Sequence, residues 1–155
     1  MERILDITFS SLALVVLSPL LIPIVILLRL TGEGEIFFIQ KRVGERGKLF
    51  GLFKFATMLK DSPNIGTGTV TMRQDPRILP LGKFLRKTKI NELPQLLNIL
   101  FGDMSVVGPR PLTEQTFGYY DGATQNSIKS VRPGLSGIQQ IVLRHLRHIL
   151  ILVLI

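Results

Sequence analysis

The sequence predicts an α+β fold, mostly helical, in which one N-terminal membrane helix precedes a small basic domain with a short β-hairpin. Three observations carry this. A run of 22 uncharged residues, 7–28, stands near the start of the chain. Two apolar stretches, 36–39 and 49–55, flank a basic turn containing two glycines. Further on, apolar residues recur at helical spacing on either side of a polar pair. The 155 residues are about one domain's worth of chain. A net charge of +8 and a pI near 10.3 point to anionic partners such as lipid headgroups, phosphorylated substrates or nucleic acid. The chain has no cysteine, which excludes disulfides, thiolate metal sites and cysteine nucleophiles.

The apolar run lies between Arg3 and Asp6 on one side and Arg29 on the other. As a straight helix at ~1.5 Å per residue it would reach about 33 Å, enough to cross a hydrocarbon core of ~30 Å. Fifteen of its 22 residues are Leu, Ile, Val or Phe, so partition into lipid is favourable by several kcal/mol. It is longer than the apolar stretch of a signal peptide, and no small-residue cleavage site follows it. Ser18-Pro19 falls at mid-segment and Pro23 follows one turn later, so a kink is expected near Ser18. A helix that spans and one that dips into a single leaflet both remain open. The basic remainder of the chain favours the cytoplasmic side.

In the basic domain, residues 36–39 read as a short strand or an interfacial anchor, 40–48 as a basic turn, and 49–55 as the returning strand. The aromatics Phe37, Phe38, Phe50, Phe53 and Phe55 are candidates for core or for the headgroup layer. Residues 60–80, rich in Gly, Thr, Pro and Asn, read as an irregular loop. Gly66-Thr67-Gly68-Thr69 within it lacks the glycine spacing and the Lys-Ser/Thr of a phosphate-binding P-loop. Residues 81–89 read as a short helix. Asn91 is placed to cap the next helix, with Glu92 in its first turn and Leu93, Leu96, Leu97 and Leu100 along one buried face. Asn91-Glu92 is therefore either a capping pair or the acidic part of a site. In Val107-Gly108-Pro109-Arg110-Pro111 two prolines fix the backbone around an arginine whose fork suits phosphate oxygens. Cations at Lys83, Arg86, Lys87 and Lys89, one acid and a rigid arginine loop together suit a diphosphate and a divalent metal. No helix-turn-helix or RNP-type pattern supports nucleic acid.

These residues, in order, resemble a family. Ser18-Pro19 in an apolar helix, FFIQKRVGERGKLF, FKFATM, LRKTKINELPQLLNIL, GDMSVVGPRP and VRPGLSGIQQ closely resemble the bacterial sugar transferases, the monotopic phosphoglycosyl transferases. The likeness runs from about Asp6 to Gln139. It implies transfer of a sugar 1-phosphate from a UDP-sugar to polyprenyl (undecaprenyl) phosphate, with release of UMP and Mg²⁺ as cofactor. The reaction starts bacterial glycan assembly, on the cytoplasmic face of the inner membrane. In the family an Asp-Glu pair heads the helix: the aspartate is the nucleophile and the glutamate supports metal and proton chemistry. Glu92 matches that glutamate; Lys54, Arg86 and Arg110 match basic residues near the diphosphate; Ser18-Pro19 matches the break that makes the membrane helix re-entrant.

The resemblance divides the chain into a membrane-associated helix (1–30), a catalytic domain (31–139) and an atypical tail (140–155) that reads as a truncation. His145 and His148 in that tail read as incidental polar residues. Two further departures bear on mechanism. Asn91 stands where the nucleophilic aspartate belongs, and an amide is a far poorer nucleophile than a carboxylate. Ala56 stands where the family usually has arginine. Two readings follow: a transferase in which Glu92 carries the catalysis, or an inactive membrane-bound relative that serves as scaffold or regulator.

Overall fold

In a computed structural model, residues 2–65, 72 and 75–136 are described. The long apolar segment forms one helix, α1 (Glu2–Leu30), which continues through Pro19 and Pro23. Pro19 has no N–H, which leaves the Val15 carbonyl without its usual i+4 donor. The Ser18 hydroxyl supplies the replacement, donating to Val15 O at 2.7 Å. The Ser-Pro pair is thus chemically self-consistent in an apolar setting, where a bare carbonyl is costly.

After α1 come β1 (Phe37–Val43) and β2 (Leu49–Phe55), an antiparallel hairpin in which Phe37 pairs with Phe55 and Val43 with Leu49. β2 has the expected limits. β1 is longer than expected: Gln40, Lys41 and Arg42 are strand residues, and the turn begins only at Gly44. The expected aromatic cluster divides. Phe55 is buried, while Phe37 and Phe38 stay about two-fifths exposed; the Phe37 ring stacks on Phe55 and meets Phe53 edge-on.

The loop expected across 60–80 is tied at its described ends. Met58 bridges Ile78, and Leu79 N donates to Thr57 O at 3.0 Å. Arg77, buried, pairs with buried Asp75 at 2.6 Å and donates to the carbonyls of Ser62 and Ile65, both at 2.7 Å. The Gly66–Thr69 glycines, the residues after Ser136 and the tail with its two histidines lie outside the described residues.

α2 (Pro80–Lys87) opens on a proline, as a first turn tolerates. It packs so closely on the chain after β2 that a Cβ at Gly82 would lie 2.1 Å from Thr57 O. Lys89 then adopts a left-handed backbone (φ 63°), reversing the chain into a 3-10 turn, Ile90–Glu92. α3 (Gln95–Phe101) follows. The capping role expected of Asn91 is not made: it sits inside the 3-10 turn, buried, and its side chain caps nothing. The buried face of α3 also differs from the leucine stripe. Leu96 and Ile99 are buried together with Gln95 and Asn98, while Leu93, Leu97 and Leu100 are only half-buried.

The reason is Asn98. Its amide is fully buried and accepts from Phe53 N (2.9 Å) while donating to Gly51 O (2.8 Å). It behaves as one more strand residue on the open edge of β2, so α3 must turn this polar position inward. Two short helices, α4 (Glu114–Gly118) and α5 (Gly122–Lys129), complete the described chain, each capped by the side chain of the residue before it, Thr113 and Asp121.

α1 forms a wall of the core along its length. Near its start, Arg3 donates to the last carbonyls of α3, Ile99 O (2.5 Å) and Leu100 O (2.7 Å). Buried Asp6 accepts from Ser105 Oγ and Val106 N, both at 2.9 Å. At mid-helix Ala13, Leu14 and Leu17 pack on Leu52, Leu96, Ile99 and Met104. Near its end Ile24 and Leu28 are buried with Phe55 and Leu85. The opposite face, including Leu12, Val15, Val16, Leu20, Ile26 and Leu27, is apolar and open. α1 is long and apolar enough to cross a membrane.

Candidate active site

β1 and β2 alternate, so every second side chain shares a face. Phe38, Gln40 and Arg42 of β1 stand opposite Lys54, Leu52 and Phe50 of β2. The 3-10 turn brings Asn91 and Glu92 to this face, and the loop after α3 brings Arg110. Phe38, Gln40, Arg42, Lys54, Asn91, Glu92 and Arg110, together with Arg86 and Lys89, line a hollow of about 470 Å³. A second hollow of about 320 Å³, lined also by Gln95, Pro111, Gly134, Leu135 and Ser136, adjoins it. Arg42, Lys54, Glu92 and Arg110 border both.

The Arg110 loop is fastened on three sides. Val43 N donates to Leu112 O (2.9 Å), Arg42 Nη1 to Pro111 O (3.2 Å), and Gly134 N to Pro109 O (2.8 Å). The last contact demands glycine, because a Cβ at Gly134 would lie 2.0 Å from Gly108 N. Arg86 is oriented by Thr57, with Nη1 3.3 Å from its Oγ1.

Six cations (Arg42, Lys54, Lys60, Arg86, Lys89 and Arg110) against two acids (Glu35 and Glu92) leave the first hollow electropositive. Burial pushes the Lys54 ammonium below the ordinary lysine value; Glu92 opposes this, and Arg42, Arg110 and Arg86 add to it. Burial, then Arg110, lowers the Arg42 guanidinium too, again against Glu92. An incoming polyanion would relieve both groups.

Of the cations expected to suit the diphosphate, Lys54, Arg86, Lys89 and Arg110 line the first hollow with Asn91 and Glu92, whereas Lys83 and Lys87 are not in its lining. Ser18 and Pro19 do not line it; they lie within α1. Arg42 went unrecognised as a site residue because it read as part of a turn. The signal was present in the i, i+2 alternation of Phe38, Gln40 and Arg42.

Asn91 Oδ1 is buried in the hollow's lining with no hydrogen-bond partner among the described residues, and the adjacent Glu92 supplies a carboxylate. No cluster of three or more His, Cys, Asp or Glu exists among the described residues. One carboxylate and one amide oxygen fit a hard cation such as Mg²⁺, which takes few protein ligands and completes its shell with substrate phosphates and water. They do not fit a metal that needs a dedicated protein cage.

The family model described as "Bacterial sugar transferase" matches residues 1–150, nearly the whole chain. The chain belongs to the bacterial sugar transferase family. It is 37% identical over 154 residues to the exopolysaccharide production protein ExoY of Sinorhizobium fredii, covering 90% of this chain and 68% of that protein. A putative undecaprenyl-phosphate N-acetylgalactosaminyl 1-phosphate transferase of Bacillus subtilis is 40% identical over 128 residues, 80% of this chain and 71% of its own. A UDP-glucose:undecaprenyl-phosphate glucose-1-phosphate transferase of Klebsiella pneumoniae is 38% identical over 144 residues; these make up 90% of this chain but only 30% of that enzyme. Sugar-phosphate transfer to a polyprenyl phosphate therefore recurs among the names of the relatives of this sugar transferase.

Proposed function

We propose that this chain transfers a sugar 1-phosphate from a UDP-sugar to undecaprenyl phosphate and releases UMP, on the cytoplasmic face of the bacterial inner membrane. The observation that carries this reading is the shared border of the two hollows, where Arg42, Lys54 and Arg110 face Glu92. The sugar-bearing phosphorus of the donor is attacked, its bond to the bridging oxygen breaks, and UMP departs with that oxygen. The three cations stabilise the charge on the transferred phosphoryl group and the leaving phosphate, which is the main source of acceleration in such transfers. Glu92 and Asn91 Oδ1 would hold Mg²⁺; when bound, the metal neutralises charge on the donor's phosphates.

Since Asn91 is no nucleophile, the attacking oxygen belongs to Glu92 or to undecaprenyl phosphate itself. Attack by Glu92 gives an acyl-phosphate adduct that the lipid phosphate then resolves; attack by the lipid gives the product in one displacement. α1 supports a membrane site: its free face is apolar, and both its ends pack on the same domain. A helix fastened so at each end enters one leaflet and does not cross, since crossing would carry the charged domain into hydrocarbon.

UMP release by membranes, assayed with a panel of UDP-sugars for wild type and Glu92→Gln, tests the activity. Release that needs Glu92 supports the reading. No release by wild type, and none gained by Asn91→Asp, would sink it in favour of an inactive scaffold. A covalent adduct located on Glu92 by peptide mass would assign the two-step route.

A further inference from the structure

The first two turns of α1 carry two charged side chains, Arg3 and Asp6, that turn toward the domain. Spaced i, i+3, they share one face of the helix. Asp6 is 4% exposed. Burying a carboxylate is costly unless donors complete it, so its donors show what the residue holds. Both belong to one short segment: Ser105 Oγ and Val106 N, each 2.9 Å from Asp6 Oδ1. That segment is the ribbon that ends in Arg110. It starts at Met104, fully buried among Leu52, Leu96 and Ile99. Ser105 then pairs with Gly134, and backbone bonds run from Ser105 N to Pro133 O (2.9 Å), Leu135 N to Ser105 O (3.1 Å) and Ser136 N to Val106 O (3.0 Å). At Gly108 the two segments touch so closely that a Cβ would lie 2.4 Å from Arg132 O. Prolines on both sides restrict the backbone at Arg110 itself. A ribbon braced in this way cannot absorb a shift locally, so movement at Val106 reaches Arg110.

Resting on the transferase reading above, we propose that Asp6 is a positioning residue for the transfer: through Ser105 and Val106 it sets the Arg110 guanidinium at the border of the two hollows. The apolar helix is then a strut of the active site as well as the part of the chain suited to lipid. Asp6 lines neither hollow, so its effect runs through the loop and not through contact with substrate. Arg3 serves the other side of the site in the same way, since it fastens the end of α3, the helix that follows Glu92. Both donors to Asp6 meet one oxygen, so an amide at this position can still accept from them, whereas an alkyl side chain cannot. Misplacing a charge-stabilising group by about 1 Å can cost on the order of a hundredfold in rate.

The test uses the full chain in detergent micelles and follows UMP release in Asp6→Ala, Asp6→Asn, Arg110→Ala and the Asp6→Ala, Arg110→Ala double variant. Asp6→Ala should lower kcat/KM by about ten- to a hundredfold. Asp6→Asn keeps the acceptor and should stay within about threefold of wild type. In the Arg110→Ala background Asp6→Ala should cost little more, because residues that act through one group do not add. A loss of the same size with and without Arg110 means a general structural role and overturns the proposal, as does wild-type activity in Asp6→Ala. Hydrogen exchange gives a readout independent of turnover. In Asp6→Ala the amides between Ser105 and Arg110, with those of Gly134, Leu135 and Ser136, should exchange faster, while β1 and β2 keep wild-type protection. Ser105→Ala removes one donor at a half-buried position, leaves α1 intact and should give a smaller change of the same pattern even if Asp6→Ala folds poorly. Unchanged exchange across 105–110 in both variants overturns the strut. Wild-type protein that releases no UMP from any UDP-sugar overturns the transferase reading instead, and the exchange data still decide whether Asp6 holds the loop.

Discussion

Asn98→Asp is a change of one atom that tests how the site is held together. The amide bridges the open edge of β2 to α3, accepting from Phe53 N at 2.9 Å and donating to Gly51 O at 2.8 Å. The strand carries Lys54 and the turn before α3 carries Glu92, so this bridge sets the distance between base and acid. Aspartate keeps the acceptor for Phe53 but turns the donor into a second oxygen. That oxygen faces Gly51 O and also Asp103 Oδ2, which lies 3.3 Å from the present amide nitrogen. Two lost hydrogen bonds, to Gly51 O and to Asp103 Oδ2, and a like-charge contact together cost about 2–4 kcal/mol at neutral pH. Urea unfolding in detergent, followed by circular dichroism, reads that as a clear drop in the midpoint. At acidic pH the protonated acid regains an O–H donor for Gly51, so part of the loss is recovered. An Asn98→Asp protein with the wild-type midpoint at pH 7 would refute the bridge and, with it, the reason given for the inward turn of α3.

Three other outcomes are expected. Gly134→Ala forces a Cβ against Gly108 N, breaks the bond from Gly134 N to Pro109 O and displaces Arg110; kcat/KM for UMP release should fall by up to about a hundredfold, checked by steady-state kinetics. Burial holds Lys54 below an ordinary lysine, ~10.4, so donor affinity should fall as pH rises through that lowered value; calorimetry across alkaline pH checks this, and Lys54→Arg should flatten the profile. Hydrogen bonds from Arg77 hold the Asp75 carboxyl well below the usual carboxylate range, so its stabilisation is complete above about pH 4 and is lost as pH falls further; the gap in melting temperature between wild type and Asp75→Asn should be full at neutral pH and shrink in acid.

What the sequence disclosed follows its periodicities. β2, an apolar run closed by the basic turn on one side, had legible limits. β1 did not, because Lys41 and Arg42 look like turn residues unless a partner strand and the Pro111 carbonyl are already known. The leucine spacing in α3 marked a helix but pointed to the wrong face, since buried Gln95 and Asn98 count as polar in any pattern. The burial of Asn98 depends on its hydrogen bonds to β2, far away in sequence. Asn91 read as a cap for the same reason: only the three-dimensional turn shows that it points elsewhere. Arg77 in the irregular loop carried no local signal of the buried ion pair it makes. Lys54, Arg86, Glu92 and Arg110, in contrast, were legible from their motifs, and the fold brings all four together.

The way α1 is fastened has a practical consequence for anyone preparing this protein. Removing residues 1–30 to obtain a soluble fragment would strip cover from Leu52, Phe55, Leu85, Leu96, Ile99 and Met104 together, and would leave the last carbonyls of α3 without the Arg3 guanidinium. An uncovered apolar area of that kind drives self-association. Such a truncation should elute as aggregate on gel filtration, and surface redesign or a lipid-mimetic support is the sounder route to material for biochemistry.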